Sequence, residues 1–176
     1  MDVYTDGSKR HKSDVLSSSI WVEQLNRGMT VVRHERDLAR CTNIRAELEA
    51  IVLASGYLSP FVPKFQILTD CNCLVMAWKG LSSGRKKYED YAHPDLWQAY
   101  FNFLQRGEEV GLSWVRGHAG IHGNVLVDRA CSHFRAPGIY TWRVEDGDFH
   151  LISGVSSTPT GEGPSPCPAG TPEAVS

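Results

Sequence analysis

Four acidic residues stand in short segments spread over most of the chain, and they constrain its fold more than any other feature. They are Asp6, Glu47, Asp70 and Asp128. Asp6 and Asp70 each follow a short apolar run that predicts a β-strand, whereas the other two lie in helical patterns. Neighbouring parallel strands would present Asp6 and Asp70 at one edge of a sheet. If all four carboxylates meet, they form an oxygen-lined, strongly negative site that suits Mg²⁺.

The order of predicted elements indicates an α/β fold. Strands are predicted over residues 3–6, 17–23, 29–36, 65–69 and 112–116, and helices over residues 43–57, 71–79, 94–106 and 124–134. This order predicts a mixed five-stranded sheet with helices on both faces. Gly28 is expected to take a positive φ in a hairpin loop, and Trp114 is expected to be a core residue of the fifth strand.

Three further motifs accompany the acidic residues. Tyr-Thr-Asp-Gly-Ser occupies residues 4–8, Thr-Asn-Ile-Arg-Ala-Glu occupies residues 42–47, and Trp-Val-Arg-Gly-His-Ala-Gly occupies residues 114–120. In order and spacing, the set from about residue 3 to residue 134 resembles the type 1 ribonuclease H family (ribonuclease HI-like). The resemblance implies the ribonuclease H-like fold. It also implies an endoribonuclease that hydrolyses the RNA strand of RNA–DNA hybrids by a two-metal mechanism.

The resemblance also implies a role for each candidate catalytic residue. Asp6 would bridge two Mg²⁺ ions, for which Mn²⁺ would be a substitute. Glu47 and Asp70 would hold one of these ions, and Asp128 would hold the second. His118 would be a mobile helper that relays a proton to the leaving oxygen or assists product departure.

Polar and basic residues elsewhere are candidates for contact with the nucleic acid. They are Thr42, Asn43, Asn72, Lys9, Arg85, Lys86 and Lys87. Thr42 or Asn43 can also simply cap the helix that follows, and the three consecutive basic residues can be an ordinary solvated loop. Many family members carry glycines and an asparagine after Asp-Gly-Ser, whereas residues 9–19 contain neither.

Two pairs of side chains have a spacing that can suggest another metal. His118 and His122 are four residues apart, but the glycines around them interrupt any helix, which argues against zinc. Cys71 and Cys73 alternate at the start of a predicted helix and so diverge. Taken one at a time, the acidic residues could also be turn or helix-end carboxylates.

Charge and composition are compatible with a soluble nucleic-acid-binding protein. Residues 1–140 hold 17 Lys or Arg against 15 Asp or Glu, a net charge of +2, and residues 141–176 carry a net charge of −4. Without the four candidate ligands the first region would carry +6, which favours binding to phosphates. Five cysteines without framework spacing predict reduced thiols and a cytoplasmic location. No membrane segment is predicted, and a monomer is expected.

The chain is predicted to divide into three regions. Residues 1–136 form the ribonuclease H-like catalytic domain, and residues 137–152 form a C-terminal extension that can add one strand. In residues 153–176, Ser, Gly, Thr or Pro occupies 17 of 24 positions, a composition typical of a disordered tail.

Two other functions remain open from the sequence alone. The first alternative is a catalytically weak nucleic-acid-binding domain of the same fold, either retroelement-derived or accessory. The second is a nuclease of the same fold that acts on structured DNA such as junctions. Cleavage of a hybrid in Mg²⁺ but not in EDTA would separate an enzyme from a binder.

Overall fold

A computed structural model describes residues 1–104 and 109–156 of the chain. Its strands are β1 (Asp2–Lys9), β2 (Val15–Val22), β3 (Arg27–His34), β4 (Lys64–Thr69), β5 (Glu109–Trp114), β6 (Gly138–Glu145) and β7 (Asp148–Ser156). Its α-helices are α1 (Asn43–Leu58), α2 (Asn72–Ser82), α3 (Pro94–Leu104) and α4 (His122–His133). Short 3₁₀ helices lie at Glu23–Leu25 and Tyr88–Asp90.

The strands form one mixed sheet in the order β5-β4-β1-β2-β3-β6-β7. β1 pairs in parallel with β4, and β4 with β5, while the other neighbouring pairs are antiparallel. The predicted fold class, a mixed sheet with helices on both faces, is confirmed. The predicted strand number was too low, because β6 and β7 extend the described sheet from five strands to seven.

The helices cover the sheet unequally. Buried residues of α1, α2 and α3 form one core with the first face of the sheet, and buried residues of α4 form a second core with the other face. Strand β2 runs between these two cores, and all eight of its residues are buried. β1, its neighbour, is therefore a central strand that contacts a helix from each side.

The C-terminal strands belong to the same sheet. Trp142 on β6 is fully buried and stacks on Trp21, with ring centroids 5.2 Å apart. Phe149 on β7 packs edge-on against Trp142 at 4.8 Å. Residues 153–156, which were predicted to begin the tail, lie instead in β7, because that strand completes the pairing of β6. Residues 157–176 of the predicted tail lie outside the described residues.

The turn before β3 differs from the prediction at Gly28. Asn26 takes the left-handed conformation, with φ at 47°, whereas Gly28 lies within β3 opposite Trp21. A Cβ at Gly28 would overlap the ring of Trp142. The glycine is needed because the indole packs directly on the backbone.

Within the described ranges, none of the helices combines the length and apolar character that crossing a membrane requires. In the same ranges Cys41, Cys71, Cys73 and Cys131 are free cysteines.

Candidate carboxylate site

Three of the four predicted acidic residues converge at one edge of the sheet. Asp6 lies on β1, Glu47 on α1, and Asp70 directly after β4, and one carboxylate oxygen of each lies within 4.8 Å of the others. Thr5 is the register partner of Thr69, so Asp6 and Asp70 leave the β1–β4 ladder together. β1 then continues to Lys9, beyond the predicted end of the strand, while β4 stops.

Gly7 allows α1 to pack onto β1 at the site. A Cβ at Gly7 would overlap the backbone of Ala46 and Glu47. The first turns of α1 therefore rest directly on the β1 backbone, which brings Glu47 beside Asp6. No local sequence pattern reveals this role of Gly7, because the contact is with residues about 40 positions away along the chain.

Residues of β5, of α4 and of the loop between them hold Asp70 in place. Asn124 Nδ2 donates a hydrogen bond to Asp70 Oδ2 at 3.1 Å, and Trp114 Nε1 donates to the Asp70 carbonyl oxygen at 3.1 Å. A Cβ at Gly117 would lie 2.7 Å from Asp70 Oδ2, so the loop passes directly over the carboxylate. Trp114 was wrongly predicted to be a core residue, because it is half-exposed. Asn124 carried no signal in the sequence.

Burial and neighbouring carboxylates raise the pKa values of Asp6 and Glu47. Burial raises the pKa of Asp6 to about 6, and the charges of Asp70 and Asp128 add to this rise. Hydrogen bonds from Cys131 and Gly7 lower the pKa but do not cancel the rise. Burial also raises the pKa of Glu47 to about 9, and the charges of Asp6 and Asp70 add to this effect. Three buried or half-buried acids with no nearby cation are unfavourable at neutral pH.

The donor set fits a divalent cation. Glu47 Oε2 is buried and has no hydrogen-bond partner, and leaving such an oxygen unpaired is costly. Carboxylate oxygens are the ligands that Mg²⁺ and Mn²⁺ prefer. A bound cation would satisfy this oxygen and remove the repulsion between the carboxylates.

Asp128 lies at the margin of this group. It is exposed on α4, one helical turn after Asn124. Its oxygens do not belong to the set that lies within 4.8 Å, but its charge contributes to the raised pKa of Asp6. The structure thus places Asp128 beside the cluster on the α4 side of the sheet.

His118 lies in the loop between β5 and α4. Its side chain is exposed, and its backbone is left-handed with φ at 53°. Among the described residues, the Asp6–Glu47–Asp70 group is the one convergent set of three or more potential metal ligands. Neither histidine of the considered zinc pair belongs to it, and neither does Cys71 or Cys73. The prediction that these two cysteines diverge was wrong, because their sulfur atoms are 3.2 Å apart.

The predicted nucleic-acid residues next to the cluster also have structural contacts. Thr42 caps α1, because its hydroxyl accepts a hydrogen bond from the Arg45 backbone N–H at 3.1 Å. Asn43 Oδ1 accepts from the Lys9 backbone N–H at 2.8 Å, which ties α1 to the end of β1. Asn72 is exposed at the start of α2, and its backbone N–H donates to the Asp70 carbonyl at 3.0 Å.

The other candidates, Arg85, Lys86 and Lys87, form an exposed basic segment between α2 and the 3₁₀ helix Tyr88–Asp90. They follow the C-terminal end of α2, whereas Asp70 precedes its N-terminal end. The structure therefore does not bring this basic segment into the carboxylate cluster.

A buried arginine that the sequence analysis missed supports the first turn of α1. Arg45 Nε lies 3.0 Å from a carboxylate oxygen of Glu35 and of Glu49, and one terminal nitrogen donates to Asp95 at 3.1 Å. His93 Nε2 lies 3.0 Å from the Thr42 hydroxyl within the same network. These contacts join α1 to the start of α3 and to the segment after β3, and so fix the helix that carries Glu47.

The sheet and the cluster together define an α/β domain with a carboxylate site at the edge of its parallel strands. Comparison with known proteins gives the family. The RNase H family matches residues 1–135, and the chain belongs to that family. The predicted family and the predicted enzyme class, a ribonuclease, are thereby confirmed.

Similarity to individual proteins agrees with the family match. The chain is 32% identical over 125 residues to the Gag-Pol polyprotein of bovine immunodeficiency virus (strain R29), a match that covers 71% of this chain and 7% of the polyprotein. It is 26% identical over 145 residues to a ribonuclease H of Orientia tsutsugamushi, covering 74% of this chain and 79% of the relative. A ribonuclease H of Saccharopolyspora erythraea is 28% identical over 143 residues, covering 74% and 88%.

Proposed function

We propose that this domain hydrolyses the RNA strand of RNA–DNA hybrids, using divalent cations held by Asp6, Glu47, Asp70 and Asp128. The observation that carries the proposal is the convergence of three carboxylates with a buried, unpartnered Glu47 oxygen. Membership of the RNase H family supports the choice of substrate.

Mg²⁺ is the proposed cation, with Mn²⁺ as a substitute and two ions per site. When bound, such cations supply Lewis-acid stabilisation of the charge that develops during phosphodiester hydrolysis. Asp6 would contribute to both sites because it lies between the Glu47–Asp70 side and the Asp128 side. Asn124 and the Gly117 backbone would keep the Asp70 carboxylate oriented.

His118 is proposed to handle a proton at the leaving 3′ oxygen. Its imidazole can both donate and accept a proton, and its exposed position in the loop over Asp70 gives it access to a bound strand. The left-handed backbone at His118 and at Gly120 turns this loop sharply, and Gly117 of the same loop packs against Asp70, which supports a role for His118 at the site.

Substrate selection is proposed to rest on the shape of the hybrid and on 2′-hydroxyl groups in a wide minor groove. Thr42 and Asn43 lie at the start of α1, which carries Glu47, and Asn72 lies two residues after Asp70. These three residues are therefore proposed to contact the nucleic-acid strand. Lys9 and the basic segment would contribute phosphate contacts. The domain is proposed to act as a monomer.

A substrate panel tests the proposal. Purified protein is assayed on an RNA–DNA hybrid, duplex DNA, duplex RNA and a four-way DNA junction, each in Mg²⁺ and in EDTA. Asp70→Asn removes a proposed ligand, and Asp146→Asn is the matched control in the β6–β7 turn, where φ of 52° suits Asn.

Cleavage restricted to the RNA of the hybrid, dependent on Mg²⁺ and lost only in Asp70→Asn, is the expected result. Binding of the hybrid without cleavage would favour the alternative of a nucleic-acid-binding domain. Preferential cutting of the junction would replace the hybrid by structured DNA as the substrate.

A further inference from the structure

A second feature adjoins the carboxylate cluster. A cavity of ≈ 220 Å³ lies between the ends of β1 and β2 on one side and α4 on the other, and its lining includes Ser8, Arg10, Ser17, Ser132 and Arg135. None of these residues belongs to the proposed catalytic machinery. The side chains that line the cavity are all neutral or positively charged, in contrast to the neighbouring cluster.

The cavity continues the carboxylate site along the same two elements. Ser8 follows Asp6 by two positions on β1, so both side chains face α4, about 7 Å apart along the strand. Ser132 follows Asp128 by four positions on α4, which is about 6 Å along the helix axis. A nucleic-acid strand that lies across Asp6 and Asp128 would therefore reach the cavity within about one nucleotide.

The lining also includes serines of β1, β2 and α4. Ser17 lines the cavity and is 6% exposed, and its buried hydroxyl has no hydrogen-bond partner. Such a buried hydroxyl is unfavourable unless a ligand or water satisfies it. Ser8, its register partner on β1, lines the same cavity, so the hydroxyl-bearing residues of two strands meet there.

Two arginines supply the positive charge. One terminal nitrogen of Arg10 donates to the Arg135 carbonyl oxygen at 2.9 Å, which holds the end of β1 against the segment after α4. Both side chains are exposed and line the cavity. Guanidinium groups make charge-assisted, directional hydrogen bonds to phosphate oxygens.

We propose that this cavity binds a phosphate group of the nucleic-acid backbone, next to the phosphate that is cut at the carboxylates. The assignment to the cut strand rests on the proposed function, whereas the phosphate chemistry rests on the cavity itself. Arg10 and Arg135 pair with the charge of the phosphate, and the hydroxyl groups of the more accessible lining residues Ser8 and Ser132 donate to its oxygens. The bound phosphate fixes the register of the strand relative to Asp6.

Salt dependence of hybrid binding tests the proposal. Binding is measured by fluorescence anisotropy in Mg²⁺ on a non-cleaving Asp70→Asn background, with and without the double substitution Arg10→Gln, Arg135→Gln. Each phosphate contact contributes about 0.9 to the magnitude of the slope of log K against log salt. The magnitude of this slope should therefore be smaller by roughly one unit in the double variant. Arg143→Gln, on β6 at the opposite end of the sheet, is the matched control and should leave the slope unchanged.

Ser132→Asp provides a second variant that keeps both arginines. Its carboxylate would repel a phosphate in the cavity, and its exposed position on α4 makes it compatible with folding. Weaker hybrid binding in Ser132→Asp and in the double variant, but not in Arg143→Gln, supports the proposal. An unchanged slope in the double variant overturns it.

Titration with inorganic phosphate distinguishes the two sources of the ligand. Nuclear magnetic resonance shifts of the Arg10 and Arg135 Nε–H groups and of the Ser17 amide are followed in metal-free protein. Saturable shifts that Ser132→Asp abolishes, together with the change in hybrid slope, support a backbone phosphate. Saturable shifts with an unchanged slope would mean that the cavity takes free phosphate and would overturn the strand assignment. Absence of hybrid cleavage by the wild-type protein would refute the proposed function separately, and it would leave the slope comparison intact.

Discussion

Replacing Asp6 by Asn is expected to stabilise the metal-free protein while abolishing cleavage. Burial and the charges of Asp70 and Asp128 raise the pKa of Asp6 from 3.8 to about 6. Because the folded-state pKa is the higher one, the ionised form is disfavoured in the fold. The wild-type protein therefore loses stability as the pH rises from about 4 to 6. The loss is on the order of 3 kcal/mol and persists at higher pH.

The assay is thermal and urea unfolding in EDTA between pH 4 and 8. At pH 7.5 the neutral Asn should raise the melting temperature of the metal-free protein by roughly 6–12 °C. It should also flatten the decline in stability that the wild-type protein shows between pH 4 and 6. Glu47→Gln should act in the same direction up to pH 9, since the pKa of Glu47 is raised to about 9. Added Mg²⁺ should stabilise the wild-type protein, which binds it in the folded state, but not the Asn variant.

Asp95→Asn is a control in which the same kind of substitution should lower the stability instead of raising it. Burial raises the pKa of Asp95, but the hydrogen bond and the charge of Arg45 outweigh this effect and lower the pKa overall. Asp95→Asn should therefore destabilise the protein above about pH 4. An Asp6→Asn variant that is less stable than wild type in EDTA at pH 7.5, or that still cuts hybrids in Mg²⁺, would refute the reasoning.

Four other variants test separate parts of the structure. Gly7→Ala should displace α1 from β1, lower the free energy of unfolding by roughly 1–3 kcal/mol or more, and reduce cleavage; urea unfolding and a hybrid assay check this. Arg45→Met removes the charged contacts to Glu35, Glu49 and Asp95 but leaves Arg33 as a partner of both glutamates, so it should cost roughly 1.5–3 kcal/mol in urea unfolding, and a loss below about 1 kcal/mol would contradict it. Replacing the basic segment by three alanines should flatten the salt dependence of hybrid binding with little effect on kcat; an unchanged slope would make the segment a solvated loop. His118→Ala should lower kcat roughly 10²–10⁴-fold in single-turnover kinetics while calorimetry shows unchanged Mg²⁺ affinity, whereas lost Mg²⁺ binding would make His118 a ligand.

The parts of the site that the sequence predicts depend on local patterns. Apolar runs followed by Asp6 and Asp70 predict strand ends, and parallel neighbours bring such ends together. A helix beginning near Thr42 follows from its capping preference. The assignment of Glu47 needed more than its position, because an acid in the first turns of a helix is ordinary. The assignment of Glu47 as a metal ligand came from the family resemblance, because the helical periodicity alone does not indicate it.

The parts that the sequence does not predict depend on contacts between distant residues. Gly7 and Gly117 are required because backbone or carboxylate atoms from other segments occupy the space of a Cβ. Arg45 is buried on α1, whereas its apolar neighbour Ile44 is only partly buried. A charged residue at a buried helix position is compatible with the fold only because Glu35, Glu49 and Asp95 surround it, and no local pattern reveals that.

The misjudged C-terminus has a compositional cause. β7 contains serines and a glycine, and its apolar side chains Leu151, Ile152 and Val155 are largely exposed. A strand with few buried apolar residues resembles a linker in sequence. Phe149 is the exception, because its contact with Trp142 anchors the hairpin. The monomeric state and the cytoplasmic location stay predictions from the sequence.

β1 and α4 carry two regions of opposite charge side by side, and this arrangement restricts what can bind across them. Asp6 and Asp128 form the acidic region, which is unfavourable without a cation. Arg10 lies just beyond the end of the same strand and Arg135 just beyond the end of the same helix, and both line the neighbouring cavity. A free cation would satisfy the first region alone, and a free anion the second alone. A nucleic-acid strand accompanied by divalent cations satisfies both, because its phosphates bind the cations at the acidic end and the guanidinium groups at the other. The charge pattern of these two elements thus favours a polyanion that arrives with its metal over either component by itself.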